Sequence, residues 1–356
     1  MNILFIGPYR HHQSDGWGTA SRKYLETLIL TNHNISAKPM FLAGHGGNIS
    51  ESIEKAENNV LDKVDVVIQH VLPDLIERHD CYNIGIFFTE TKHLEKNQWI
   101  DKINLLDEAW VCTPGEKDSL IESGATCKIS VVPIPYRDLG EPEPFYIQEI
   151  DGKFTFYFIG ENTDRKNILA LVKAFHREFT LDETVALLIK TSEGLKEQIN
   201  EWREHSRTRK EYMPEVIITG NQFTDRQIAG MHLASDCFVC TSRGEAFCMP
   251  LLDAMYYNKP VICTDGIFIT SLVESKITTV DSMEIPVDTK TPPIPQIYTG
   301  NETWFEISIL NLQKQMRKAY DDFYNDKSVE TKNWIEENFA PKVIAEKMEQ
   351  CLSLAT

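Results

Sequence analysis

Two short stretches of this chain place charged side chains beside glycines at the ends of apolar runs. The first is Ser242-Arg243-Gly244-Glu245-Ala246-Phe247-Cys248-Met249-Pro250-Leu251-Leu252-Asp253-Ala254-Met255. It follows the apolar run Cys237–Thr241 and precedes another, Pro260–Thr264, each with the pattern of a buried strand. A strand, a Gly turn and a helix start together present backbone N–H groups, and anions bind there. Glu245 and Asp253 stand eight positions apart. On a single helix that spacing places them about two turns apart on one side, one for hydroxyls near the helix start and one for a diol. The second stretch, Gly160-Glu161-Asn162-Thr163-Asp164-Arg165-Lys166-Asn167, follows the strand-like run Phe154–Ile159. Arg165 can grip phosphate in a fork and Lys166 adds a point charge. Cations at a helix start oppose its dipole, which favours a ligand over helix stability as their reason for being there. A solvated basic turn is the plainer alternative.

The elements that must carry these loops alternate along the chain. Ile3–Ile6, Val64–Gln69, Asn83–Phe88, Glu108–Cys112 and Ile129–Val132 read as strands. Thr19–Leu30, Glu95–Leu106 and Pro114–Ser123 have helical spacing. Pro133–Asp151, with four prolines among acidic residues, reads as a linker. A second series follows through Phe154–Ile159, Ala186–Lys190, Val216–Thr219, Cys237–Thr241 and Val261–Thr264, with helices at Asn167–Phe175, Leu195–His205 and Asp225–Ala234. Residues 284–299 look like an irregular insertion, and Phe305–Asn325, Val329–Asn338 and Pro341–Leu354 like terminal helices. Such alternation predicts an α/β protein with parallel sheets covered on both faces. The expected domains are residues 1–140 and 151–340, with the helix at about 341–356 packing back on the first.

The donor-like stretch resembles the signature of retaining nucleotide-sugar glycosyltransferases of the GT-B fold, the group 1 (family 4-like) transferases. Glu245, Phe247, Pro250, Ala254, Met255, Pro260, Val261 and Ile262 match that signature. Ala246 and Cys248 replace its glycines, and Asp253 replaces its second glutamate, one methylene shorter. Ala234-Ser235-Asp236-Cys237-Phe238-Val239, Asp107-Glu108-Ala109-Trp110-Val111 and the Thr303-Trp304 region also resemble family segments. The resemblance implies two Rossmann-like domains facing across a cleft. It implies Arg165 and Lys166 on the donor diphosphate, Glu245 on sugar hydroxyls, backbone N–H groups of Ala246 and Phe247 on phosphate, and Asp253 on the nucleotide ribose. Gly16 and Gly18 take the place of the family's Gly-rich first loop, where Thr19 would cap the following helix. His70, at a strand end, takes the place of a histidine that contacts the transferred sugar; a satisfied core histidine is the alternative. Glu90, also at a strand end, is a candidate for orienting an acceptor hydroxyl.

Composition bounds the partners. The 356 residues have a net charge of -17, which weighs against polyanions and anionic membranes. Eight cysteines lie mostly in apolar runs, where a thiol behaves as a small hydrophobe. Cys237 and Cys240 form a C-x-x-C inside a strand pattern, with no second pair or His cluster, so zinc is not expected there. Arg203, His205, Arg207, Arg209 and Lys210 form the one notable basic run, read as a solvated helix end. With no leader and no membrane-length apolar run, a cytoplasmic, reduced protein is expected.

The resulting expectation is a glycosyltransferase (hexosyl- or pentosyltransferase). It uses a nucleotide-diphosphate sugar as co-substrate, with no metal ligands and no required cofactor. The acceptor is a saccharide or glycolipid hydroxyl; the alternative is a hydroxymethylated base in viral DNA. A phosphorylase or epimerase on the same fold, and a non-catalytic nucleotide-sugar-binding scaffold, are the readings from other classes.

Overall fold

A computed structural model describes residues 1–11, 16–41, 46–206, 214, 216–220, 222–287, 298–325 and 327–354. The chain divides into two units, one of Met1–Arg137, Pro286–Thr303 and Glu336–Thr356, the other of Asp138–Ile285 and Trp304–Ile335. Both are parallel α/β units, as the alternation predicts.

The first unit runs β1 (Asn2–Gly7), α1 (Gly16–Ile29), β2 (Asn34–Pro39), α2 (Glu51–Glu57), β3 (Val66–His70), β4 (Tyr82–Ile86), α3 (Trp99–Ile103), β5 (Glu108–Val111), α4 (Pro114–Glu122) and β6 (Lys128–Val131). Its sheet has the order β2-β1-β3-β4-β5-β6, every neighbour parallel. The chain enters at β1, adds β2 on one side, then crosses to β3 on the other. β3 is buried along its whole length, as a strand covered on both faces must be. One core packs Trp99, Ile100 and Ile103 of α3 against Ala109 and Val111 of β5, with Leu106 and Leu120.

The second unit runs β7 (Phe154–Ile159), α5 (Ile168–Glu178), β8 (Val185–Lys190), α6 (Leu195–His205), β9 (Val216–Thr219), α7 (Asp225–Ala234), β10 (Cys237–Cys240), α8 (Met249–Tyr256), β11 (Val261–Thr264), α9 (Thr270–Val273), β12 (Thr278–Val280), β13 (Ser282–Pro286), β14 (Thr303–Ile307) and α10 (Ile309–Tyr324). Its sheet order, β12-β11-β10-β7-β8-β9, places the unit's first strand at the centre beside its fourth. Phenylalanines 154, 156 and 158 of β7 meet Phe175 and Phe179 in one apolar cluster. α10 is fixed beside α5 by Arg317, whose guanidinium bonds Glu178 at 2.8 Å and Glu183 at 2.5 Å. α11 (Lys332–Phe339) and α12 (Pro341–Leu352) end the chain. α12 lies on α1, where Glu349 meets His33 at 3.0 Å and caps the Asn32 N–H at 2.9 Å.

Several boundaries differ from expectation. β2 and β12 are edge strands whose polar sequences gave no strand signal. Phe305 belongs to β14, paired with β13, and the helix begins only after the Ser308 hydroxyl caps Asn311 N–H. The Glu95 end of the helix expected over Glu95–Leu106 is a turn, held by Asn97, which accepts the Trp99 N–H. Of the expected insertion at 284–299, residues 284–286 are strand, while 288–297 lie outside the described residues. Arg207, Arg209 and Lys210 also lie outside them, whereas Arg203 and His205 close α6.

Gly230 of α7 is where helix and linker backbone meet. A Cβ there would stand 2.0 Å from the Glu143 carbonyl oxygen. Backbone cannot swing aside as a flexible side chain can. Gly230→Ala is therefore expected to destabilise the second unit by about 1–3 kcal/mol, read as a lower urea midpoint at unchanged m-value; an unaltered midpoint would show that the linker does not pack as described.

Candidate active site

In an open parallel sheet, the strand order reverses at one point, and the loops leaving the two strands there diverge to leave a crevice. In the second unit the reversal lies between β7 and β10. The loop after β7 carries Arg165 and Lys166, and the loop after β10 carries Glu245. The sheet thus brings together two stretches almost eighty positions apart.

The two loops are laced to each other. Arg243 N–H donates to the Arg165 carbonyl at 2.7 Å, and the Thr241 hydroxyl reaches the Lys166 and Asn167 carbonyls at 3.2 Å. Asn167, at φ 52, turns the chain into α5 and bonds Glu306 of β14 at 3.0 Å. Glu306 also pairs with Arg243 at 2.5 Å. At the centre lies the buried carboxylate of Glu245. Its Oε1 accepts from Lys166 Nζ and, at 2.7 Å, from the Ser242 hydroxyl. Its Oε2 lies 3.2 Å from the Arg165 guanidinium, which also donates to the Gly244 carbonyl at 2.7 Å. Burial alone would raise the Glu245 pKa, but the charges of Lys166 and Arg165 outweigh it and hold the carboxyl at about 2. Burial likewise opposes the Lys166 ammonium, and Glu245 reverses that, keeping its pKa above the ordinary value. The cluster is one carboxylate between two cations, a net positive centre.

The helix arrangement of Glu245 and Asp253 needs correction. α8 begins at Met249, and Glu245 lies in the turn before it. Cys248, at φ 58, is in the left-handed region and ends any helical path between them. That conformation also accounts for a glycine at this place in the resembled signature. Asp253 is buried within α8 itself, while Ala246 and Phe247 are buried in the turn.

In the first unit the reversal lies between β1 and β3, and there the loop after β1 meets the end of β3. Gly16 and Gly18 form the first turn of α1 rather than a loop before it. Thr19 consequently does not cap the helix; its hydroxyl accepts from Arg22 at 2.9 Å. His70 is completely buried. Its Nε2 accepts the Trp17 indole N–H at 2.9 Å, and Tyr24 and Phe88 close around the ring edge-on. Burial lowers its pKa to about 3, so the ring is neutral, with its proton on Nδ1. Glu90 follows β4 in the loop that begins Phe87-Phe88-Thr89. Beside it lies Glu116, a residue that sequence reasoning passed over. Its carboxylate accepts the Thr89 N–H at 2.7 Å and the Cys112 N–H at 3.0 Å. Burial pushes the Glu116 carboxyl up to about 7, opposed by those hydrogen bonds and supported by the neighbouring charge of Glu90. The available signal was Thr113 followed three places on by Glu116, a helix-start pattern in which the hydroxyl does cap the Glu116 N–H.

With this geometry in place, comparison with known proteins is decisive for the second unit. Residues 141–280 match the model of the family described as glycosyl transferases group 1. The second unit is a group 1 glycosyltransferase domain. No curated protein matches the chain. Among solved structures, a sucrose-phosphate synthase from Thermosynechococcus elongatus superposes with a TM-score of 0.67 at 14% identity, covering 99% of this chain and 98% of that one. The lipopolysaccharide outer core galactosyltransferase WaaB superposes at 0.65 and 16% identity, with both chains covered completely. HepE of Anabaena, solved with UDP and glucose, superposes at 0.65 and 13%, covering 99% and 100%. The chain has the GT-B fold. Among the described residues, no helix is long and apolar enough to cross a membrane.

Two outcomes follow from the ionisable groups. Removing the Glu245 charge leaves Lys166 buried without its counter-ion, so Glu245→Gln is expected to lower stability by roughly 3–5 kcal/mol, with much of it recovered on adding Lys166→Met. Urea unfolding of the two single variants and the double variant measures this; additive losses would mean that the pair does not interact. For Glu116, a folded pKa above the usual 4.5 means that its contribution is whole below that pH and disappears as pH rises through about 7. Stability should therefore fall between about pH 5 and pH 8 by on the order of 1–3 kcal/mol, and the Glu116→Gln variant should lose that slope.

Proposed function

We propose that this glycosyltransferase takes its sugar from a nucleotide-diphosphate donor, that the donor binds at the second unit's reversal point, and that transfer retains the anomeric configuration. The observation that carries the reading is the Arg165–Glu245–Lys166 cluster. It holds two cations on one loop and a carboxylate on the other, ready to separate when a polyanion arrives. The donor diphosphate takes over Arg165 and Lys166, and Glu245, relieved of part of its pairing, turns to the sugar hydroxyls. N–H groups of Ala246 and Phe247, in the turn that leads into α8, lie in the region where a helix terminus favours phosphate. Asp253 is assigned to the nucleotide ribose.

Chemically, the demanding event is departure of the diphosphate from the anomeric carbon. Charge gathers on its bridging oxygen as the bond lengthens. Fixed cations aimed at that oxygen stabilise the transition state more than the ground state. Arg165 and Lys166 are assigned this work. HepE is solved with UDP and glucose, which supports trying UDP-sugars first.

In the first unit, Glu90 is assigned to orienting the acceptor hydroxyl. Gly16 and Gly18 supply the open first turn of α1, and His70 acts by holding Trp17 in place. The acceptor is a saccharide or glycolipid, since the net charge of -17 disfavours a DNA polyanion.

Release of nucleoside diphosphate from UDP-sugars, with product anomer read by proton NMR, tests this. Arg165→Ala is expected to lower kcat about 100- to 1,000-fold, and the product should keep the donor's anomeric configuration. An inverted product refutes retention. Undiminished turnover in Arg165→Ala refutes the assignment of the leaving group to this cluster.

A further inference from the structure

The turn that carries Glu245 also folds two thiols against it. Cys240 ends β10 and Cys248 precedes α8, eight positions on, and the turn returns Cys248 so that the two Sγ atoms stand 3.9 Å apart. Cys240 Sγ, Cys248 Sγ and a Glu245 carboxylate oxygen all lie within 4.8 Å of one another. Cys263 of β11, in register with Cys240, adds a third thiol hydrogen-bonded to it.

This group is not the C-x-x-C of the sequence. Cys237 packs into the apolar core on the other face of β10. The convergence depends on the turn and on Cys248, which occupies a φ of 58 that a glycine would adopt without strain. A thiol is thus kept at a place where the backbone favours the absence of any side chain.

We infer that Cys240, Cys248 and Glu245 form a binding site for a soft divalent metal ion of the zinc class. Thiolates bound at about 2.3 Å to a tetrahedral ion stand about 3.8 Å from each other, so the observed sulfur separation needs little adjustment. Two thiolates and a carboxylate around a dication leave one negative charge, which Lys166 and Arg165 face. Cys240 is buried and Cys248 is half-buried. Three protein ligands leave the fourth position for Cys263 or for water. Metal taken up here draws Glu245 from Lys166, so it should antagonise donor binding; this consequence alone rests on the donor assignment above.

Cadmium titrated into the reduced full-length chain tests the site without any nucleotide. Wild type is expected to bind one equivalent at this site with a thiolate-to-metal absorption band. Cys248→Gly, whose residue suits the backbone there, should bind at least tenfold more weakly and lose most of the band. Cys240→Ser should behave alike, with thermal unfolding confirming that both variants fold. No band in wild type, or an undiminished band in folded Cys248→Gly, overturns the inference. A UDP-sugar titration with and without cadmium is read separately. Metal binding without any nucleotide binding leaves the metal site standing and removes the donor reading.

Discussion

A buried carboxylate held between two cations is the constraint on which the second unit's functional end depends. Glu245 is buried, and Lys166, Arg165 and the Ser242 hydroxyl offset the cost of burying its charge. Those partners come from the loops after β7 and β10, and only the reversal of strand order puts these loops side by side. Parallel pairing of β7 with β10, the lacing of Arg243 onto the Arg165 backbone and the anchoring of Asn167 by Glu306 all fix the same distance. A net positive centre results, with backbone N–H groups and a helix start beside it. Under the proposed function, a diphosphate takes the place of part of this internal pairing.

The first unit uses a reversal point differently. Where β1 and β3 part, a neutral, buried histidine lies under a tryptophan, and the buried Arg22 bonds the Tyr9 and His11 carbonyls of the loop after β1. Glu90 and Glu116 stand one strand further on. One unit is thus organised by paired opposite charges. The other has an apolar histidine cage and a carboxylate held partly protonated by burial.

Much of this was legible in the sequence because the signals were local or dense. Apolar runs separated by helical spacing gave the two parallel α/β units. The match around Glu245, with Arg165 and Lys166 after a strand, located the cluster. What escaped notice depended on long-range context. β2 is an edge strand reading Asn-Ile-Ser-Ala-Lys-Pro, whose faces need few apolar residues. Phe305 and Ile307 fit a helix pattern as well as a short strand, and only pairing with β13 decides between them. The break between Glu245 and Asp253 came from one residue in an uncommon backbone conformation, which spacing alone does not reveal. His70 could be read from sequence as a ligand or as a core residue, and its enclosure by Trp17, Tyr24 and Phe88 places it in the core. Glu116 had a helix-start signature, yet its carboxylate is spent on the Thr89 and Cys112 N–H groups.

The most direct test of the central claim is a thermal-shift screen of UDP-, GDP-, ADP- and dTDP-sugars on wild type, Arg165→Ala and Glu245→Ala. A ligand that binds the folded chain raises its melting temperature by mass action. The account predicts a shift with one nucleotide class that disappears in Arg165→Ala. A shift of equal size in wild type and Arg165→Ala, or no shift with any nucleotide sugar, would contradict it.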